Sequence, residues 1–137
     1  ADRRLDPVLG IHWTTPILHD GHLYAFSGRD EPDAYFRCVE LESGRVKWSR
    51  DERWQKRGSK QPNVYGRGSA VMADGKLFVL GEGGLLGLFE VNAAKPVELG
   101  RHQVPELHYP CWAAPILSDK RMVIRSEDYL ICFDAAK

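Results

Sequence analysis

Three stretches of this chain can be written one under another. They are Thr15-Pro16-Ile17-Leu18-His19-Asp20-Gly21-His22-Leu23-Tyr24-Ala25-Phe26, Ser69-Ala70-Val71-Met72-Ala73-Asp74-Gly75-Lys76-Leu77-Phe78-Val79-Leu80 and Ala114-Pro115-Ile116-Leu117-Ser118-Asp119-Lys120-Arg121-Met122-Val123-Ile124-Arg125. Each has a small residue, an apolar run, an Asp-centred turn and a second apolar run, at offsets of 54 and 45 residues. Trp13 and Trp112 stand two places before the first and third copies, and Arg67 holds that place in the second. A second block recurs further on in each copy: Tyr35-Phe36-Arg37-Cys38-Val39-Glu40-Leu41, Leu86-Gly87-Leu88-Phe89-Glu90-Val91 and Tyr129-Leu130-Ile131-Cys132-Phe133-Asp134. A fixed period means that one supersecondary unit is stacked on copies of itself, and this governs what the chain can fold into.

Each unit resolves into short strands. Asp20-Gly21 and Asp74-Gly75 join apolar runs and carry the chemistry of a tight hairpin turn. Leu23 and Ala25 alternate with Tyr24 and Phe26, and Leu77 and Val79 with Phe78 and Leu80, so both faces of these strands are apolar. Such strands are expected to be covered on both sides. Arg45-Val46-Lys47-Trp48-Ser49 supplies a fourth strand to the first unit after the turn at Glu42-Ser43-Gly44. No helical period is present, and Pro96 interrupts the one stretch, residues 90–98, where a helix might be drawn. The expectation is an all-β chain: a β-propeller fragment of about three four-stranded antiparallel blades, the last incomplete. Residues 1–13 form the tail of a preceding blade or a lead-in, 14–67 the first blade with a long loop, 68–112 the second, and 113–137 the incomplete third. Ala1 in place of Met suggests that something upstream was removed or omitted. Since propellers close with ~4–8 blades, the chain is expected to be the C-terminal part of a larger propeller or to self-associate.

At this point a resemblance enters. Cys38-Val39-Glu40-Leu41-Glu42-Ser43-Gly44-Arg45-Val46-Lys47-Trp48 resembles the repeat of quinoprotein-dehydrogenase-like propellers, the PQQ-like repeat, with an acidic residue, a Ser-Gly turn and a Trp four places after the glycine. Pro16-Ile17-Leu18 and Asp20-Gly21-His22-Leu23-Tyr24 also match its opening, and the likeness runs over residues 13–137. It implies that Trp48 docks between adjacent blades. In the second unit Ala93-Ala94 replaces the Ser-Gly turn and Leu99 stands near the Trp position, which implies a less regular junction. The resemblance further implies a ligand- or partner-binding face near the axis, carrying Trp13, Arg29, Tyr65, Arg67, Glu82, Trp112 and Arg125, with His12, Asp30, Tyr109 and Glu127 beside them; inter-blade packing is an equal alternative for Trp13 and Trp112. It also implies an extracytoplasmic setting, periplasmic or secreted. Nothing matches the adjacent cysteines or the metal-and-base set of quinone-dependent dehydrogenases, so neither a catalytic residue nor a metal ligand is assigned. No cofactor is expected on this chain; PQQ and calcium belong only to the dehydrogenase alternative.

Other patterns have plainer explanations. Glu40, Glu90 and Asp134 recur one per unit, so they are assigned to turn bonding rather than to a catalytic carboxylate cluster. Gly81-Glu82-Gly83-Gly84-Leu85-Leu86-Gly87 has the glycines of a phosphate loop but no following helix, and is expected to be a hairpin turn. His19 and His22 flank a turn that should splay them away from a common metal. Residues 45–60 interleave basic residues with Trp48 and Trp54, but Lys+Arg and Asp+Glu both number 19, which removes the electrostatic case for nucleic acid. No apolar run approaches the ~18 residues of a membrane helix. Cys38, Cys111 and Cys132 cannot all pair within one chain; Cys111 is expected to be a small buried residue. The connection from Asp51 to Arg67 exceeds the ~12–15 residues beyond which loops tend to be functional; it carries Trp54, Asn63 and Tyr65. Three functions remain: a binding or scaffold module for a protein or small-molecule ligand, a portion of a quinone-dependent dehydrogenase, and a carbohydrate-binding propeller using Trp13, Trp54 and Trp112.

Overall fold

The computed structural model describes residues 8–29, 33–54 and 64–135. Asn63 and Asp30 lie outside the described residues, as do residues 1–7. Among the described residues, eleven strands form three antiparallel sheets. The first holds β1 (Ile17–His19), β2 (His22–Ser27), β3 (Tyr35–Glu40) and β4 (Val46–Asp51) in chain order. The second repeats this with β5 (Ser69–Ala73), β6 (Lys76–Leu80), β7 (Leu85–Glu90) and β8 (Glu98–Gln103). The third has β9 (Ile116–Ser118), β10 (Arg121–Arg125) and β11 (Leu130–Asp134). Backbones approach from sheet to sheet at the inner strands, β1 and β2 against β5 and β5 against β9, so the sheets fan outward from one side as propeller blades.

Turn chemistry sets these hairpins. Asp20 and Gly21 have φ of 49° and 72°, Asp74 and Gly75 of 50° and 69°, so both central residues are left-handed. That geometry matches the twist of the flanking strands. The third copy makes the same turn with Asp119 and Lys120, at φ of 53° and 62°. Residues 81–84 close the β6–β7 hairpin, with Gly81 N–H bonded to the Leu85 carbonyl at 2.8 Å.

The register pairs His19 directly with His22, so these side chains share one side of the hairpin and are not splayed as expected. His22 Nδ1 instead lies 2.8 Å from the Asp20 carbonyl. No group of three or more His, Cys, Asp or Glu able to hold a metal occurs among the described residues.

Two apolar clusters fill the spaces between blades. Between the first and second, Tyr24, Phe26, Phe36, Cys38 and Trp48 pack on Leu77, Val79, Leu85 and Phe89. Phe26 stacks on Phe36 at 4.6 Å, and Phe36 meets Phe89 edge-on at 5.2 Å. Trp48 is buried, and its indole N–H donates to the Asn92 carbonyl of the second blade at 2.7 Å. Between the second and third, Leu80 packs with Val104, Leu107, Cys111, Met122 and Ile124.

The registers correct one alignment. Trp48 lies opposite Cys38, just before a bulge, and in the second blade Gly100 lies opposite Leu88, also just before a bulge. Gly100, not Leu99, is therefore the counterpart of Trp48; bulge counting, invisible in the sequence, shifts the match by one residue.

Candidate functional site

Trp13, Arg67 and Trp112 occupy one repeat position, just ahead of an inner strand, and the fan brings all three together. The Trp13 and Trp112 rings lie 5.2 Å apart at 44°. The Arg67 guanidinium sits over the Trp13 ring at 4.8 Å. His12 packs on Trp13 at 5.0 Å and Tyr109 meets Trp112 edge-on at 5.9 Å. Backbone bonds tie these lead-ins to the β6–β7 turn: Glu82 N–H bonds to the Tyr65 carbonyl at 3.0 Å, and Cys111 N–H to the Glu82 carbonyl at 2.8 Å.

Glu82 is the anchor of the cluster. It is buried, and its carboxylate accepts the Arg67 backbone N–H at 3.1 Å, the Arg67 Nη2 at 3.3 Å and the Trp112 indole N–H at 3.3 Å. Such donors take the place of water around a buried carboxylate. Arg67 Nη1 also donates to the Arg29 carbonyl at 3.1 Å, which attaches the first blade's β2–β3 loop to the same point. A cavity of about 580 Å³ opens above, lined by His12, Trp13, Arg67, Tyr109, Trp112 and Arg125, among others. Its walls are aromatic and cationic.

Of the site residues expected from sequence, Trp13, Arg67, Trp112 and Arg125 line this cavity and Glu82 supports it. Arg29 contributes its carbonyl to Arg67. Tyr65 is a correction. It is wholly buried between the first two blades, 5.8 Å from the Phe89 ring, and cannot meet a ligand on the open face. Its phenol has no hydrogen-bond partner among the described residues, and burial pushes its pKa up. Trp54 is half-buried with its ring 5.8 Å from Tyr109, so it props the cavity wall.

Cys111 is buried, and its thiol donates to the His108 carbonyl at 3.1 Å. Burial, with the Glu82 carboxylate nearby, pushes its pKa up to about 11, so it stays a thiol at neutral pH.

Glu52 was not anticipated. It is buried beyond the end of β4; its Oε2 accepts the Tyr65 backbone N–H at 3.0 Å, and Arg50 Nε lies 3.2 Å from Oε1. Arg50 also bridges to Glu98 of the second blade at 2.7 Å. The alternation Trp48, Arg50, Glu52 along one face was the available signal, obscured by the basic residues interleaved through 45–60.

No protein-family model matches the sequence, and no curated protein does. Solved structures match in shape. A europium-containing methanol dehydrogenase superposes with a TM-score of 0.57 at 17% identity, over 88% of this chain and 22% of that one. A quinohemoprotein alcohol dehydrogenase from Comamonas testosteroni gives 0.59 at 19% identity, over 93% of this chain and 20% of that one. The chain thus spans about a fifth of the length of either. At these identities the likeness is one of fold: the three sheets are arranged as β-propeller blades.

Proposed function

We propose that the chain is a PQQ-like propeller module that binds a ligand rather than transforming it, with the cavity over Glu82 as the binding point and further blades as its structural partners. The observation that carries this reading is the convergence of Trp13, Arg67 and Trp112 from three successive repeats into one cluster, with Arg67 and Trp112 both bonded to one buried carboxylate. Indole walls accept a flat ring, and the guanidinium groups of Arg67 and Arg125 favour negative charge on it. The ligand class is a planar anion. Arg67 and Trp112 donate to Glu82, and the Cys111 thiol is protonated, so neither serves as base or nucleophile. The proposed setting is extracytoplasmic.

The names of the structural neighbours favour a second reading, a portion of a quinone-dependent dehydrogenase. The aromatic and cationic walls suit a quinone, which as a bound group would supply two-electron redox chemistry. Calcium fits less well: it takes 6–8 oxygen ligands, and the described residues offer no cluster of acidic groups for it.

Titrating the full chain with pyrroloquinoline quinone, with and without calcium, separates the readings. Binding is expected as saturable quenching of tryptophan fluorescence that needs no calcium. Arg125→Glu, which reverses a charge at the cavity mouth, should weaken it by about tenfold. Alcohol-dependent dye reduction by the loaded chain would establish the dehydrogenase reading instead. Absence of saturable quenching would sink both.

A further inference from the structure

The position held by Trp48 at the first blade junction is held by Gly100 at the second. At the first junction the indole fills the space between sheets, beside Tyr24 at 6.2 Å and Phe36 at 5.2 Å. By register, Phe78 takes the place of Tyr24 and Leu86 that of Phe36. Across the gap, Met122 and Phe133 correspond to Leu77 and Phe89, being paired with each other in the same way. The second junction therefore has the same apolar walls as the first, with the central indole missing. A Cβ built on Gly100 would meet nothing within 4 Å, and Leu99 stands exposed instead of filling the gap. A cleft of about 900 Å³ results, lined on one side by Phe78, Leu86 and Gly100 and on the other by Leu117, Met122 and Phe133.

We propose that this cleft is a second ligand site, distinct from the cavity over Glu82, and that it takes a flat aromatic molecule bearing an anionic group, of the indole-carboxylate type. The ring occupies the slot that Trp48 occupies one junction earlier, where an indole of this size seats between the same kinds of wall. The charge preference comes from the rim: Lys76, Lys120, Arg121 and His102 border the cleft, against the carboxylates of Asp74 and Asp119, while Arg101, which also lines it, is already bridged to Glu98. Three fixed cations outnumber two anions, and a carboxylate on the ligand balances the excess. Burying a bicyclic ring between two apolar sheets supplies the attraction, and the rim supplies the orientation.

The chain's two methionines allow a site-resolved test. Met122 lines the cleft; Met72 does not. With methyl-labelled methionine in the full chain, indole-3-acetate should shift the Met122 signal saturably with a Kd below about 1 mM, leaving Met72 in place. Gly100→Trp should weaken this response by about tenfold or more while leaving pyrroloquinoline quinone binding over Glu82 unchanged. Gly100→Leu, a smaller filler, should act in the same direction if the tryptophan fails to seat. The proposal is overturned by a Met122 signal that stays still at millimolar indole-3-acetate. It is equally overturned if acetate alone shifts that signal as much, if Met72 moves in parallel, or if a folded Gly100 variant responds as the parent does.

Discussion

At the scale of single residues, the repeats act as internal controls. Gly21 and Gly75 occupy a left-handed turn position that Lys120 occupies in the third blade. A side chain in that conformation costs about 1–2 kcal/mol, partly offset by the greater freedom glycine brings to the unfolded chain. Lys120→Gly should therefore raise stability by up to ~1 kcal/mol, read as a higher urea midpoint. Glu52 makes a separate, pH-dependent case. Burial raises its pKa above the ordinary 4.5, although the Tyr65 N–H and Arg50 pull the other way. In the window above 4.5 the folded state keeps the proton that the unfolded chain has lost, so this residue's contribution falls as pH rises through the raised value. Glu98 has the opposite sign: burial raises its pKa, but bonds from Arg101 and Arg50 outweigh this and hold it low, so its contribution is lost on acidification. Glu52→Gln retains an acceptor for the Tyr65 N–H, and should flatten the decline in stability as pH rises above the ordinary value of 4.5. Urea melts across that range check the slope. The burial of Tyr65 was not legible in the sequence, because a long connection gives no period from which to tell inside from outside, and Glu52 was legible only as the continuation of the Trp48 and Arg50 face. The convergence of Trp13, Arg67 and Trp112 was legible, because equivalent repeat positions occupy equivalent places about an axis.

At the scale of elements, the strands and hairpins followed from the apolar runs and the Asp-centred turns. What the runs could not convey was the bulge in β4 and β8, and hence which residue of the second blade takes the place of Trp48. Trp48 is buried against Tyr24 and Phe36 and bonded to the neighbouring blade. Trp48→Ala should cost about 3–5 kcal/mol, as other large aromatic truncations in cores do. An unchanged denaturation midpoint would refute the docking role. Gly87 on β7 tests the same junction from the other side. A Cβ there would lie 2.0 Å from the Tyr65 hydroxyl oxygen, so Gly87→Ala overpacks the junction and should cost about 1–3 kcal/mol. The hydroxyl has no partner among the described residues, so Tyr65→Phe should be close to neutral; it should recover only part of the loss in the double variant, because the ring carbons at 2.6 and 2.8 Å remain. Thermal melts of the four proteins close the cycle, and full additivity would disprove the contact.

For the whole molecule, the question is what covers the two end faces of the fan. On the third blade Ile116, Val123 and Cys132 are paired in a row, with Leu130 at its edge, all on the side opposite Met122 and Ile124. Ile116 is 60% and Leu130 70% exposed. On the first blade the row is Leu18, Leu23, Val39 and Val46, with Leu18 56% exposed. These faces differ in sequence and lie at opposite ends of the three-blade stack, so contact between them is head to tail; it generates a ring where the rotation closes. The first two blades already show that such sheets bury an aromatic and aliphatic interior when stacked. The isolated chain should therefore associate as its concentration rises, giving a light-scattering mass above the 15.5 kDa of one copy. Ile116→Lys with Leu130→Lys places charge on one end face and leaves both inter-blade clusters untouched, so it should lower the mass to that of a monomer without changing the far-UV circular dichroism. A chain that remains a stable, cooperative monomer at all concentrations before any substitution would mean that a three-sheet fan sustains the exposed end-face residues Leu18, Ile116 and Leu130 by itself, which the burial of both sides of the second blade argues against.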